Sequence, residues 1–294
     1  MDSFKRILAV TDLSIPARHA AQRAALVGRD TSTPLELLHV AQLAPLVRMR
    51  RLMSTVTSNF EQEVIEAAQR KLRELAAALE TQYGVNPGFR VTQGSLLSEL
   101  AKESGSLKDG LLVCGARGES VVRHFVMGST ALRLLNAVAC SILVVKQLPH
   151  EPYRKVLIPV DFSPSSRSAV EQAKRLAPHS EFTLLHAFEA PFEGHLRYAS
   201  VDESTIQHYL VAARNDAQQK LRELRDEAGL SAEKCKLLVV HSNPVLSITQ
   251  HEVELDADLI VMGKNGESLL EDVILGSVTR HVLTECQCDV LVAV

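Results

Sequence analysis

The sequence predicts an α/β fold, built twice. Three observations predict it. Short apolar runs suited to buried parallel strands alternate with longer segments of helical period. The alternation runs in the same order through both halves of the 294-residue chain. Four blocks of one half return in the other at a spacing of 147 to 149 residues. Lys5–Ser14 returns as Arg154–Ser163, and Leu37–Val40 as Leu184–Ala187. Leu111–Gly115 returns as Leu259–Gly263, and Cys140–Val145 as Cys288–Ala293. A nearly constant spacing over four ordered blocks marks a duplicated domain. The copies are expected at 1–147 and 153–294, joined by a linker at about 148–152 that holds Pro149 and Pro152.

Within a copy the elements follow in order. Ile7–Val10 is an apolar strand, and Ser14 followed by Pro16 marks a helix start. Ala17, Ala20, Ala21, Ala24 and Ala25 keep the helical period, and Leu35–Val40 is the second strand. Phe60, Val64, Ala68, Leu72, Leu75 and Leu79 recur every three or four residues, so a long amphipathic helix spans about 59–83. Val91–Gln93 is a third strand, Leu97–Lys102 is helical and Leu111–Cys114 is a fourth strand. A helix begins at Ser129, and Ile142–Val145 is the fifth strand. In the second copy Ile206, Tyr209, Leu210, Ala213, Ala217, Leu221 and Leu224 give the long helix. Strands alternating with helices make each copy a three-layer domain with a parallel sheet covered on both faces.

Composition excludes several classes of function. Apolar residues make up 46% and charged residues 23%, as in ordinary globular proteins. No apolar run is long enough to span a bilayer, and the first residues lack the order of a signal peptide. A net charge of −3 and an aromatic content of 4% without Trp argue against general nucleic-acid binding. Five cysteines without an export signal suggest reduced thiols, and a cytoplasmic location is expected.

The chemistry concentrates after the fourth strand of each copy. Gly115 and Gly118 are followed by nine residues and then by Gly128-Ser129-Thr130 at a helix start. Gly263 and Gly266 stand in the same relation to Gly276-Ser277-Val278. The pattern G-x2-G-x9-G-S suits phosphate. Glycine lets the backbone approach an anion and adopt positive φ, and a helix N-terminus presents free N–H groups. Used only structurally, the same glycines would form tight turns.

These motifs resemble the universal stress protein family in its tandem form, over nearly the whole chain. Nucleotide-binding members carry the glycine pattern together with an Asp after the first strand and a Ser two residues on. Asp12/Ser14 and Asp161/Ser163 match that pair. The resemblance implies a five-stranded parallel sheet of order 3-2-1-4-5, whose switch point lies between the first and fourth strands. It implies ATP as ligand, with a divalent ion such as Mg2+ held mainly through the phosphates. Gly115, Gly118, Gly128, Ser129 and Thr130 would hold ribose and phosphates in one copy, and Gly263, Gly266, Gly276, Ser277 and Val278 in the other. Asp12 and Asp161 would lie beside the nucleoside, and Val40 or Ala187 would line the adenine slot. As residues alone, the two aspartates also fit turn or helix caps. The resemblance further implies that the copies pack through their fifth strands as an internal pseudo-dimer, with homodimerisation of the chain as a further possibility.

The copies differ. Val10 stands where the second copy has Pro159. The first glycine loop is basic, with Arg117, Arg123 and His124, whereas the second combines Lys264 with Glu267, Glu271 and Asp272. The first copy is therefore expected to be the electrostatically better site. Arg48, Arg50 and Arg51 make the segment Leu43–Met53 basic and amphipathic, which fits a loop over the site or a subunit contact better than a membrane surface. Cys286-Gln287-Cys288 lacks the C-x2-C spacing of common zinc sites, so these thiols read as buried structural residues, as do His39 and His186 in the second strands. His281 and Glu285 form only a weak metal pair. No catalytic residues and no metal ligands are assigned. The expected function is ATP-dependent regulation in a stress response through protein partners. A slow ATPase, or a scaffold that has lost one or both nucleotide sites, is the alternative.

Overall fold

The computed structural model describes residues 3–43, 60–116, 128–189, 202–266 and 275–294, with only the backbone of Ser129 and Thr130. The first half runs β1 (Ile7–Val10), α1 (Ile15–Thr31), β2 (Leu35–Ala41), α2 (Phe60–Tyr83), β3 (Gly88–Gln93), α3 (Leu96–Ser106), β4 (Leu111–Gly115), α4 (Ser129–Ala137) and β5 (Ser141–Val145). The second half repeats it as β6 (Lys155–Pro159), α5 (Pro164–Leu176), β7 (Glu181–Phe188), α6 (Glu203–Glu227), β8 (Cys235–His241), α7 (Pro244–Leu255), β9 (Leu259–Gly263), α8 (Ser277–Glu285) and β10 (Asp289–Ala293). Ser14 caps α1 by accepting from Ala17 N. No helix among the described residues is long and apolar enough to cross a membrane.

All ten strands form one sheet of order β3-β2-β1-β4-β5-β10-β9-β6-β7-β8. Each half has the order 3-2-1-4-5 and is parallel throughout. The halves meet where β10 pairs antiparallel with β5, Leu291 opposite Leu143. β1, β5 and β10 are buried along their whole length, because helices cover them on both faces. The outer strand β3 is half exposed, and Arg90 on it pairs with Glu36 at 2.7 Å and Glu103 at 2.6 Å. Charge of this kind blunts an open sheet edge.

One hydrophobic core lies on each face of the sheet, and each runs through both halves. Ala20, Ala24, Ala169 and Ala173 of α1 and α5 belong to one core, with Leu72 and Leu221 of the long helices. Leu134, Leu135, Val282 and Leu283 of α4 and α8 belong to the other. After β1 the chain therefore crosses to one face, and after β4 to the opposite face. The two connections part at the carboxyl ends of these strands and leave a crevice, and the same happens between β6 and β9.

A polar cluster fastens the junction. Asp289, fully buried at the start of β10, accepts from Arg23 Nε at 3.1 Å, Tyr153 Oη at 2.7 Å, Lys146 N at 2.8 Å and Gln147 N at 3.3 Å. Arg23 also donates to Glu151 O at 2.7 Å, and its guanidinium lies 4.0 Å from the Tyr153 ring centre. Burial, reinforced by Asp289, holds the Tyr153 phenol well above its usual pKa, so the proton stays available for donation. The first-half counterpart of Asp289 is Ser141, which accepts from Val294 N.

Candidate functional site

The crevice of the second half contains a cavity of about 610 Å³. Pro159, Val160 and Asp161 form one wall, following β6. Leu185, Ala187, Ile248 and Met262 make an apolar side. Gly263, Asn265 and Gly266 form the floor after β9, and Leu275 to His281 bring in the first turn of α8. The seven second-half residues singled out from the sequence, Asp161, Ala187, Gly263, Gly266, Gly276, Ser277 and Val278, all line this one cavity.

The turn after β6 aims Asp161. Phe162 is in the left-handed region at φ 65°, and its counterpart Leu13 is at 67°. A bulky side chain there costs about 1 kcal/mol or more and persists only where the surroundings enforce it. The enforcing bonds are local. Asp161 Oδ1 accepts from Ser163 N at 3.1 Å, from Ser163 Oγ at 2.6 Å and from Ser166 Oγ. Ser166 Oγ in turn accepts from Asp161 N at 3.0 Å. The carboxylate is thus fixed with Oδ2 toward Gly266, where an added Cβ would stand 2.9 Å away. Ser163 also caps α5 by accepting from Ser166 N at 3.2 Å. Replacing Ser163 with Ala removes the hydroxyl's bonds to Asp161 and Ser166, and a loss of about 1 kcal/mol in a urea melt is expected.

The glycines serve different ends. Gly263 gives way to protein: an added Cβ would meet Ser165 Cβ at 2.5 Å and Ser165 C and O at 2.9 Å. Gly276 is different. An added Cβ there meets nothing closer than Lys264 O at 3.5 Å. Gly276 caps α8 with φ −57° and Gly128 caps α4 with φ −64°, so neither adopts the positive φ the motif suggested. The need at Gly276 is for open space beside a helix N-terminus rather than for left-handed backbone.

Lys264 departs from the sequence reading. Its side chain is buried and donates to Val138 O across the halves at 3.1 Å, so its ammonium is no part of the cavity wall. Among the described residues, Arg280 of α8 brings a cation to the wall, and His281 lies beside it. Glu267, Glu271 and Asp272 lie outside the described residues, as do Arg117, Arg123 and His124 in the first half and Arg48, Arg50 and Arg51 after β2.

In the first half Asp12 follows β1, and its Oδ1 accepts from Ser14 N at 3.0 Å. Asp12 is exposed where Asp161 is half-buried, and Ala17 stands where Ser166 braces Asp161. Val40 is buried at the end of β2, and Gly115 ends β4. Gly128 N donates to Ala116 O at 2.9 Å, just as Gly276 N donates to Lys264 O at 3.0 Å. Ser129 and Thr130 open α4, and Gly118 lies outside the described residues. The matching histidines have matching bonds: His39 Nδ1 meets Thr11 O at 2.8 Å and His186 Nδ1 meets Val160 O at 2.7 Å. Burial pushes the Cys140 thiol up to about 11, partly countered by Lys264, which keeps it neutral and makes it a packing residue.

Ser166, Ile248 and Met262 were not singled out from the sequence. Ser166 sits in the first turn of α5, where helix-start serines are common, and the other two are ordinary apolar residues of α7 and β9.

Comparison with known proteins settles the family. The sequence profile of the universal stress protein family matches residues 3–146 and 152–293. The chain belongs to the universal stress protein family. Its two matched segments make it a tandem member. Universal stress protein MJ0531 of Methanocaldococcus jannaschii is 30% identical over 143 residues, covering 48% of this chain and 81% of that protein. Universal stress protein MJ0577 of the same organism is 27% identical over 153 residues, covering 48% and 94%. A universal stress protein from Archaeoglobus fulgidus has the same fold over 99% of both chains, with a TM-score of 0.67 at 19% identity.

Proposed function

We propose that this universal stress protein binds an adenine nucleotide, ATP, in the glycine-lined crevices, and regulates partner proteins by its occupancy. The observation that carries the reading is the convergence of Asp161, Ala187, Gly263, Gly266, Gly276, Ser277 and Val278 on one cavity of about 610 Å³. That volume falls in the range of small-molecule sites. The residues present fit a nucleotide. The N-terminus of α8 presents the backbone N–H groups of its first turn and the positive end of its dipole to phosphates, beside the space left by Gly276. Asp161, fixed by Ser163 and Ser166, offers a carboxylate to a ribose hydroxyl. Leu185, Ala187, Ile248 and Met262 offer an apolar slot for a base. A divalent ion would be held mainly by the phosphates. The ligand's identity rests on the family resemblance.

The test is to purify the protein gently, denature it, and identify and count the released nucleotide by mass spectrometry. Two per chain supports paired sites, and one supports a difference between the halves. Gly276→Val should empty the second half and Gly128→Val the first, each lowering the count without unfolding the protein. No nucleotide after incubation with ATP would overturn the reading.

A further inference from the structure

Away from the cavity, one buried cluster holds chemistry that the fold does not require. Cys286 caps the C-terminus of α8, and Cys288 directly precedes β10. Both are buried, at 5% and 1% exposure, and Glu252 of α7 beside them is 6% exposed. One potential ligand atom from each of the three lies within 4.8 Å of the others. Glu252 Oε1 accepts from Gln287 N at 2.7 Å and Cys288 N at 2.6 Å, which holds the carboxylate against the two sulfurs. From the other half of the chain, Lys146 Nζ donates to Cys286 Sγ at 3.0 Å, as well as to the helix-end carbonyls of Leu283 at 2.8 Å and Cys286 at 2.6 Å.

The duplication supplies an internal control. At the spacing of 148 residues the first half has Ser104, Val138 and Cys140 at these three places. Ser104 Oγ bonds within its own helix, to Ala101 O at 2.8 Å, and Val138 is buried without a polar atom in its side chain. The same helix end and strand start are therefore built there with one thiol and no charge. A cap for the carbonyls of α8 accounts for Lys146. It does not account for a buried carboxylate set against two thiols.

We propose that Cys286, Cys288 and Glu252 form a binding site for a thiophilic divalent cation of the zinc class. Two sulfurs with one carboxylate are donors that such an ion takes, and three protein ligands leave a fourth position open. The charges close. Two thiolates, one carboxylate, the Lys146 ammonium and a divalent ion sum to zero, so the buried cluster retains no net charge. The outer shell is in place, with Lys146 donating to sulfur and two backbone amides donating to the carboxylate. Entry is short, because Cys286 sits at a helix end next to the exposed Gln287.

The test uses the full chain, reduced and stripped of metal. It is titrated with Cd2+, read by the ultraviolet thiolate-to-cadmium band, and with Zn2+ in competition with a chromophoric chelator. One equivalent of each is expected per chain. Cys286→Val, which installs the first-half residue, should abolish the band and weaken zinc uptake about tenfold or more. Cys286→Ala serves if that variant does not melt cooperatively. Glu252→Gln should keep the band and weaken zinc by a similar factor. Cys140→Ala should change neither. No band in the unaltered chain, or a band and zinc affinity that survive loss of Cys286, would overturn the proposal. Zinc affinity unchanged by Glu252→Gln would overturn the donor set.

Discussion

Asp289→Ala is expected to lower the unfolding free energy by about 3–5 kcal/mol, the usual cost of removing one partner of a buried ion pair. The size follows from what remains. Arg23 is 5% exposed and would keep its charge beside the Glu151 carbonyl and the Tyr153 ring, having lost the carboxylate that pairs with its Nε. Tyr153 Oη and the amides of Lys146 and Gln147 would lose their acceptor in the same step. Each buried donor left unsatisfied adds its own desolvation cost. A urea titration followed by far-ultraviolet circular dichroism measures the loss. Adding Arg23→Met to Asp289→Ala should restore part of it, because the stranded charge is removed along with its partner. A loss under about 1 kcal/mol would mean that the seam between the halves is wetter than described.

The second large effect separates two glycines of one motif. Gly263→Ala should cost about 1–3 kcal/mol by overpacking, since its methyl would stand 2.5 Å from Ser165 Cβ and 2.9 Å from backbone atoms of the same residue. Backbone at the start of α5 cannot swing aside as a flexible side chain can. Gly276→Ala should cost no more than about 1 kcal/mol, the scale of a changed helix cap, because its methyl meets nothing nearer than 3.5 Å. Under the proposed function the order reverses for ligand. Gly276→Ala narrows the space beside the N-terminus of α8 and should reduce retained nucleotide in a chain that melts nearly as before. Thermal melts and nucleotide counts on the same two preparations check both halves of the statement. Equal melting temperatures for the two variants would refute the packing argument for Gly263.

Much of the molecule was legible because it depends on local pattern. The spacing of apolar residues marks β1, α1 and the long helix Phe60–Tyr83, and Ser14 before Pro16 marks the cap that α1 has. The duplication is visible as a spacing alone. What could not be read depends on direction and distance. Lys264 sits in a glycine loop and invites a phosphate, yet a side chain one residue past a strand can turn to either face, and this one turns to Val138. The left-handed backbone at Leu13 and Phe162 has no glycine to signal it; it is held by bonds that Thr11, Asp12, Asp161 and Ser166 make and by packing of both side chains against the core. Gly263 is legible as a glycine but not as one required by Ser165, nearly a hundred residues earlier. Glu252 lies 34 residues before Cys286, so a sequence reading confined to C-x-C pairs it with nothing.

The junction of β5 with β10 has a consequence for how the two halves can change. Were the same seam formed by two identical subunits, symmetry would repeat every contact, and a substitution would be felt twice. In one chain each side varies alone. Asp289 can bind Arg23 while its counterpart remains Ser141, and Lys146 can reach Cys286 while Val294 stands in its mirror position. The tether also makes the pairing unimolecular, with an effective concentration set by the short connection between Val145 and Lys155 instead of by the amount of protein present. The ten-stranded sheet therefore persists at any dilution.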